Sequence, residues 1–262
     1  MDLFDQRAPV GLAEGETQGG SGDMKKNQYV LQLLGTPWNA DTLTCILTAA
    51  EQGMEMESGF LNTLEGEQNS PDYKGIFEFG TYPSIKENDY FLAGATGVTS
   101  FINARGLGNS LVPKNVEKAA EHAYWIDVAI TEVQPNVDVI VQEQLVGPMF
   151  DSGYASNEAS LSEAKTQLAS SLAMLEKQVG GKDCILDKYS VADVHWVTAI
   201  HLLSLADDSA DLLNNYPGVQ RWYKSHESRK GNSGHVPNPF SLLPGVDDIR
   251  NKKLSSVKIS DF

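Results

Sequence analysis

Two hydrophobic rhythms divide this chain, one of short mixed segments before about residue 106 and one of long helical stripes after it. The run YVLQLLG, Tyr29 to Gly35, is short, mostly apolar and ended by glycine, which predicts a buried strand. In the following TPWNADTLTCILTAAEQG, Leu43, Ile46, Leu47 and Ala50 recur at helical spacing, Asp41 reads as the N-cap, and Gly53 supplies the stop. MEMESGFL predicts a second strand, and Ser70-Pro71-Asp72 opens a short helix within a polar, turn-rich stretch. Ile85 on one side and Phe91-Leu92 on the other flank KEND, a hairpin turn, and VTSFINA after Gly97 predicts a helix. Residues 29–104 therefore order as strand, helix, strand, short helix, hairpin, helix.

Beyond RGLGNSLVP only helices are predicted. Val116, Ala119, Ala123, Ile126, Ile130 and Val133 form one apolar stripe, ending at Pro135. A second runs from Leu161 to Val179 and closes at Gly180-Gly181. YSVADVHWVTAIHLLSL, Tyr189 to Leu205, is apolar nearly all round and predicts a central buried helix; a further helix opens at Pro217. No internal repeat is present. The expected organisation is a flexible, Gly- and Ser-rich leader over 1–27, a small α/β domain over 28–106, an all-helical domain over 114–228 and a tail over 229–262.

Charge narrows the partners. The net charge of −15 argues against nucleic acid, which needs a basic footprint. With −2 on residues 1–27 and +3 on 229–262, the body between them carries −16; the basic tail could fold back on that acidic body, but a solvated tail is the expected reading. No apolar run approaches the ~20 residues of a membrane span, so no membrane partner is expected. The chain starts without a basic-then-apolar signal, and its two cysteines, Cys45 and Cys184, form neither a CxxC pair nor a disulfide framework. A reducing, cytoplasmic location is expected. His195 and His201 are six apart on one predicted helix, hence on different faces, and no metal site is expected.

The stretch GEQNSPDYKGIFEFGTYPSIKENDYFL runs as loop, short helix, proline, hairpin and leucine, YSVAD carries a capping box from Ser190 to Asp193, and YPGVQRWY starts a later helix at a proline. In this order over about residues 29–228 the chain resembles the glutathione transferase superfamily. The resemblance implies a fold in which a thioredoxin-like N-terminal domain precedes a helical C-terminal domain. It implies glutathione as co-substrate without a metal, a small apolar electrophile as partner, and a homodimer. It also implies a cis bond before Pro83, so that the Tyr82 N–H and C=O face the cysteinyl part of glutathione.

The family places a Tyr, Ser or Cys after the first strand to favour the thiolate of a thiol whose ordinary pKa is about 8.5. The Ser-type position falls on Asn39, whose amide N–H could serve the thiolate, and the Cys-type position on Asp41, which would repel it. Thr36 and Thr42 are nearby hydroxyls, while Tyr29 lies too early. After the hairpin the family carries a Glu/Gln-Ser pair that holds the γ-glutamyl end of glutathione. Its places are taken here by Gly94 and Ala95, with Thr96 within reach if the register slips by one. Each lost charge-assisted bond costs roughly 1.5–3 kcal/mol. His122, Tyr124 and Trp125 fall on the helix that flanks the family's second-substrate pocket, and VPNPFSLLPG in the tail could cover that pocket or bind a partner. Two readings stand: a divergent transferase, or an interaction module whose thiol site has decayed, as in the transferase-like domain of the gamma subunit of an elongation-factor complex.

Overall fold

The computed structural model describes residues 30–206 and 209–258. The leader expected over 1–27, and Tyr29, lie outside them. The first half contains β1 (Leu31–Gly35), α1 (Ala40–Gln52), β2 (Met56–Phe60), α2 (Pro71–Ile76), β3 (Ser84–Glu87), β4 (Tyr90–Ala93) and α3 (Ala95–Arg105). Its four strands lie in the order β2-β1-β3-β4, with β1 parallel to β2 and the other pairs antiparallel. A parallel pair requires a crossover, and α1 supplies it, burying Leu43, Ile46 and Leu47. Asn88, at φ 55, makes the tight turn between β3 and β4.

The start of α1 differs from expectation. The helix begins at Ala40 and its cap is Asn39, whose extended backbone (φ −114, ψ 121) aims the side-chain oxygen at the Thr42 N–H. Asp41 sits two residues past the cap and falls in the first turn.

The helical half follows as α4 (Val116–Val128), α5 (Gln134–Val141), α6 (Gly147–Phe150), α7 (Glu158–Val179), α8 (Val191–Leu205), α9 (Ser209–Asn214), α10 (Pro217–His226) and α11 (Val246–Arg250). The first stripe does not stop at Pro135. Residues 116–150 continue through π-helical turns at Ala129–Val133 and Gln142–Val146. The first of these lets the Gln134 N–H bond to the Ala129 carbonyl, and Pro135 follows at the start of α5, where its missing N–H is tolerated. The central helix α8 is buried nearly all round. Its Asp193 accepts the N–H groups of Ser190 at 2.9 Å and Ile185 at 2.7 Å. α8 packs on α1, where Thr44 and Thr198 share a buried hydroxyl bond of 2.7 Å, so sheet and helices meet in one core.

The tail folds back on the body at defined points, although Lys230, Arg250, Lys253 and Lys258 stay exposed. Arg229 pairs with the buried Glu51 of α1, and the Asn232 N–H donates to the same carboxylate at 2.8 Å. Farther on, Met56 and Val257 exchange backbone bonds of 2.7 and 2.9 Å, covering the open edge of β2. The reason is electrostatic: a carboxylate as buried as Glu51 is costly unless paired, and the tail brings the partner. Among the described residues no helix is long and apolar enough to cross a membrane.

Candidate functional site

A cleft of about 390 Å³ opens between the end of β1, the segment before β3 and the π-turned helix α5. Asn39 and Trp38 form its floor, Tyr82 and Gln68 one wall, and Asp138 and Gln142 the other.

The floor is organised by Asn39. Its Oδ1 accepts the Thr42 N–H at 2.9 Å and the Thr42 hydroxyl at 3.0 Å. Thr42 Oγ1 in turn accepts the Thr36 N–H at 3.3 Å. Glycine at 35 makes this possible, since a Cβ there would lie 2.4 Å from Thr42 Oγ1. The carboxamide is thus fixed by its oxygen end, and its Nδ2 has no partner among the described residues although the side chain is only 8% exposed. Thr42 is fully buried with its hydroxyl engaged, so it orients Asn39 and cannot meet a ligand. Thr36 is equally buried, its hydroxyl lacks a partner among the described residues, and it does not line the cleft.

The Tyr82–Pro83 bond is cis. The backbone N–H and C=O of Tyr82 have no partner among the described residues, a free strand-like edge. This edge is held from behind: the Tyr73 hydroxyl donates to the Thr81 carbonyl at 2.8 Å and shares a 3.0 Å bond with Ser84 Oγ. Pro83 is buried, and its carbonyl accepts the Gly94 N–H at 2.9 Å, tying the start of α3 to the same corner. Gly94 has φ 91 and caps without a side chain, which leaves the first-turn N–H groups of α3 at Ala95 and Thr96 uncapped. Thr96 is exposed. Gly94, Ala95 and Thr96 therefore neighbour Pro83 but do not line the cleft, whereas Asn39 and Tyr82 share it.

The residues of the helical wall are not those expected. Asp138 lines the cleft and its side chain is exposed there. Partial desolvation by the cleft walls, with the Asp41 charge second, pushes its carboxyl up to about 7. Burial likewise raises Asp41, against a lowering hydrogen bond from Gln134. It also raises the Tyr82 phenol, reinforced by Asp138 and Asp41. The aromatic floor is Trp38, set against Phe60 at 5.6 Å and Phe150 at 5.5 Å. The aromatics expected to line the pocket do not. Trp125 is buried edge-on against Trp196, and the exposed Tyr124 reaches Met174. His122, His195 and His201 are buried, the last bonded to the Tyr223 hydroxyl and Pro244 carbonyl at 2.8 Å each. No residue of the tail lines the cleft among those described. No cluster of three or more metal-ligating side chains occurs among the described residues.

Comparison with known proteins agrees with this architecture. The family model described as "Glutathione S-transferase, C-terminal domain" matches residues 136–230. Glutathione S-transferase F10 of Arabidopsis thaliana is 24% identical over 196 residues, 74% of this chain and 90% of that one. Among solved structures, glutathione transferase F7 from Populus trichocarpa superposes with a TM-score of 0.67 at 23% identity, covering 77% of this chain and 95% of its own. Glutathione S-transferase I from mais, solved with an atrazine glutathione conjugate, gives 0.66 at 22% identity over 77% and 93%. A thioredoxin-like sheet followed by a helical half that matches the family's C-terminal domain gives this chain the glutathione transferase fold, and the relatives it resembles are matched over most of their own length.

Proposed function

We propose that this protein binds glutathione and conjugates it through its sulfur to a small apolar electrophile, in the cytoplasm and without a metal. One observation carries the reading: Asn39 is clamped by its oxygen end, so its unpaired Nδ2 is preset to donate to a sulfur at the cleft floor. The free N–H and C=O of Tyr82 receive the cysteinyl unit beside it, and the bare N–H groups of α3 at Ala95 and Thr96, with the Thr96 hydroxyl, receive the γ-glutamyl carboxylate. The thiol proton leaves to water, the sulfur pair forms the C–S bond, and the leaving group departs with its electrons. Titration calorimetry with glutathione, followed by a conjugation assay of Asn39→Ala, tests this. Binding tighter than about millimolar with a large loss in the variant is expected; no heat at millimolar glutathione would sink the transferase reading.

The absence of side-chain anchors at Gly94 and Ala95 favours a second reading, an interaction module, and the same titration decides between them. For either, we propose a homodimer that buries the exposed apolar surface at Phe79, 87% exposed in the turn between α2 and β3, with Ile76 at the end of α2 and Tyr90 on β4. Phe79→Ser should halve the sedimenting mass; an unchanged mass removes that face as the contact.

A further inference from the structure

The charge of the cleft is not explained by glutathione. Asp138 and Glu143 line it, Asp41 stands beneath, and no Lys, Arg or His lines it among the described residues. Glu143 is engaged, accepting the Asn157 N–H at 2.8 Å. Asp41 and Asp138 pair with no cation among the described residues, and one Asp41 oxygen is buried without a hydrogen bond. An acidic group of this kind is not by itself a site. Here it adjoins a cavity into which a nine-tenths-buried, unpaired amide, Asn39, already points.

The aromatic floor adds a second preference. Lys252 places its ammonium 5.6 Å from the Phe60 ring and 5.3 Å from the Phe150 ring, so the cluster around Trp38 already holds one cation, and Lys252 is not among the residues lining the cleft. Trp38, which belongs to that cluster, lines the cleft and carries the ring type that attracts cations best. The two π-helical turns bracket Asp138, and the second contributes Gln142, Glu143 and Val146 to the wall.

We infer that the acceptor half of this cleft takes an electrophile bearing a fixed positive charge, such as a quaternary ammonium or pyridinium, beside an apolar ring. The charge meets Asp138, which Asp41 backs electrostatically, and the ring meets Trp38, Val139 and Val146. This rests on the transferase reading for its chemistry, and it has a consequence there. Two carboxylates near the sulfur oppose a thiolate, whereas a cationic acceptor offsets them, so the thiol ionises most readily when that acceptor is bound. Anionic acceptors are refused by the same groups. Binding of the cation strengthens as pH rises through about 7, where Asp138 ionises; the other titratable groups facing it are Asp41 on α1, Tyr82 before β3 and Glu143 after α5.

The test titrates the full chain, without glutathione, with benzyltrimethylammonium, benzyl alcohol and phenylacetate, following tryptophan fluorescence. The cation is expected to bind about tenfold more tightly than the anion. Asp138→Asn should weaken the cation about fivefold and leave the alcohol unchanged, with thermal melting establishing that the variant is folded. Equal affinities, or an anion that leads, overturn the inference even if glutathione binds. A cation preference with no glutathione binding upholds the cation site and removes only the transferase reading.

Discussion

The two helix starts that meet at this site are built in opposite ways. At α1 a side chain caps the helix: Asn39 satisfies the Thr42 N–H and is itself locked by the Thr42 hydroxyl. At α3 nothing caps, because Gly94 has no side chain and sits at φ 91, a conformation other residues enter only with strain. The first start is satisfied by the protein and leaves over a single, well-aimed donor. The second leaves its backbone N–H groups for a ligand to complete. Precision is thus concentrated at the proposed sulfur position, and the proposed carboxylate position relies on backbone alone.

Substitutions can break this contrast in order of size. Asn39→Ala removes both cap and donor: kcat/KM should fall on the order of a hundredfold, and urea unfolding should show a loss of about 1 kcal/mol. Asn39→Asp separates the two roles. It keeps the capping oxygen but puts an unpaired carboxylate into a buried position beside Asp41, so urea unfolding should show a loss of about 1–3 kcal/mol that shrinks in acid, while conjugation is lost because a carboxylate replaces the Nδ2 donor. Full activity in Asn39→Asp would show that the amide is not the donor. Thr42→Val strips the group that orients Asn39 and orphans the Thr36 N–H, at about 1–3 kcal/mol in a denaturation experiment.

On the other start, Ala95→Ser adds a hydroxyl at the first turn of α3 and should tighten glutathione about tenfold by calorimetry, worth roughly 1.4 kcal/mol. No gain would mean that the carboxylate does not lie there. The smallest effect is a pH dependence. The Asp138 carboxyl is raised to about 7 in the fold, above its ordinary range, so the native chain loses stability progressively as pH climbs from the carboxylate range through about 7. Asp138→Asn should therefore melt higher than the parent above pH 7, with the difference vanishing in acid.

The frame of this molecule was legible because it is written in local signals. Pro83 before an alternating run, the Asn88 turn and the Ser190–Asp193 cap each act within a few residues, and all three stand where the pattern put them. The cap of α1 was misread because Asn39 and Asp41 are both good caps; the choice is made by Thr42 sitting against the bare Cα of Gly35, a fact of packing. Thr36 and Thr42 looked like accessible hydroxyls, since burial carries no mark in a sequence of small polar residues. Asp138 was invisible for another reason: a π turn shifts helical phase, so a periodicity that stops at Pro135 cannot say which side chains beyond it face the cleft.

The strap formed by the tail bears on how this protein is made. Glu51 is synthesised 181 residues before Asn232, which donates to its carboxylate, and the counter-charge Arg229 arrives only three residues earlier than Asn232. Until that stretch clears the ribosome, a carboxylate destined for the interior has no partner and the edge of β2 has no cover. The sheet domain therefore comes first in synthesis but is completed late, and a ribosome stalled before residue 229 exposes an unfinished sheet edge rather than an independent folded half.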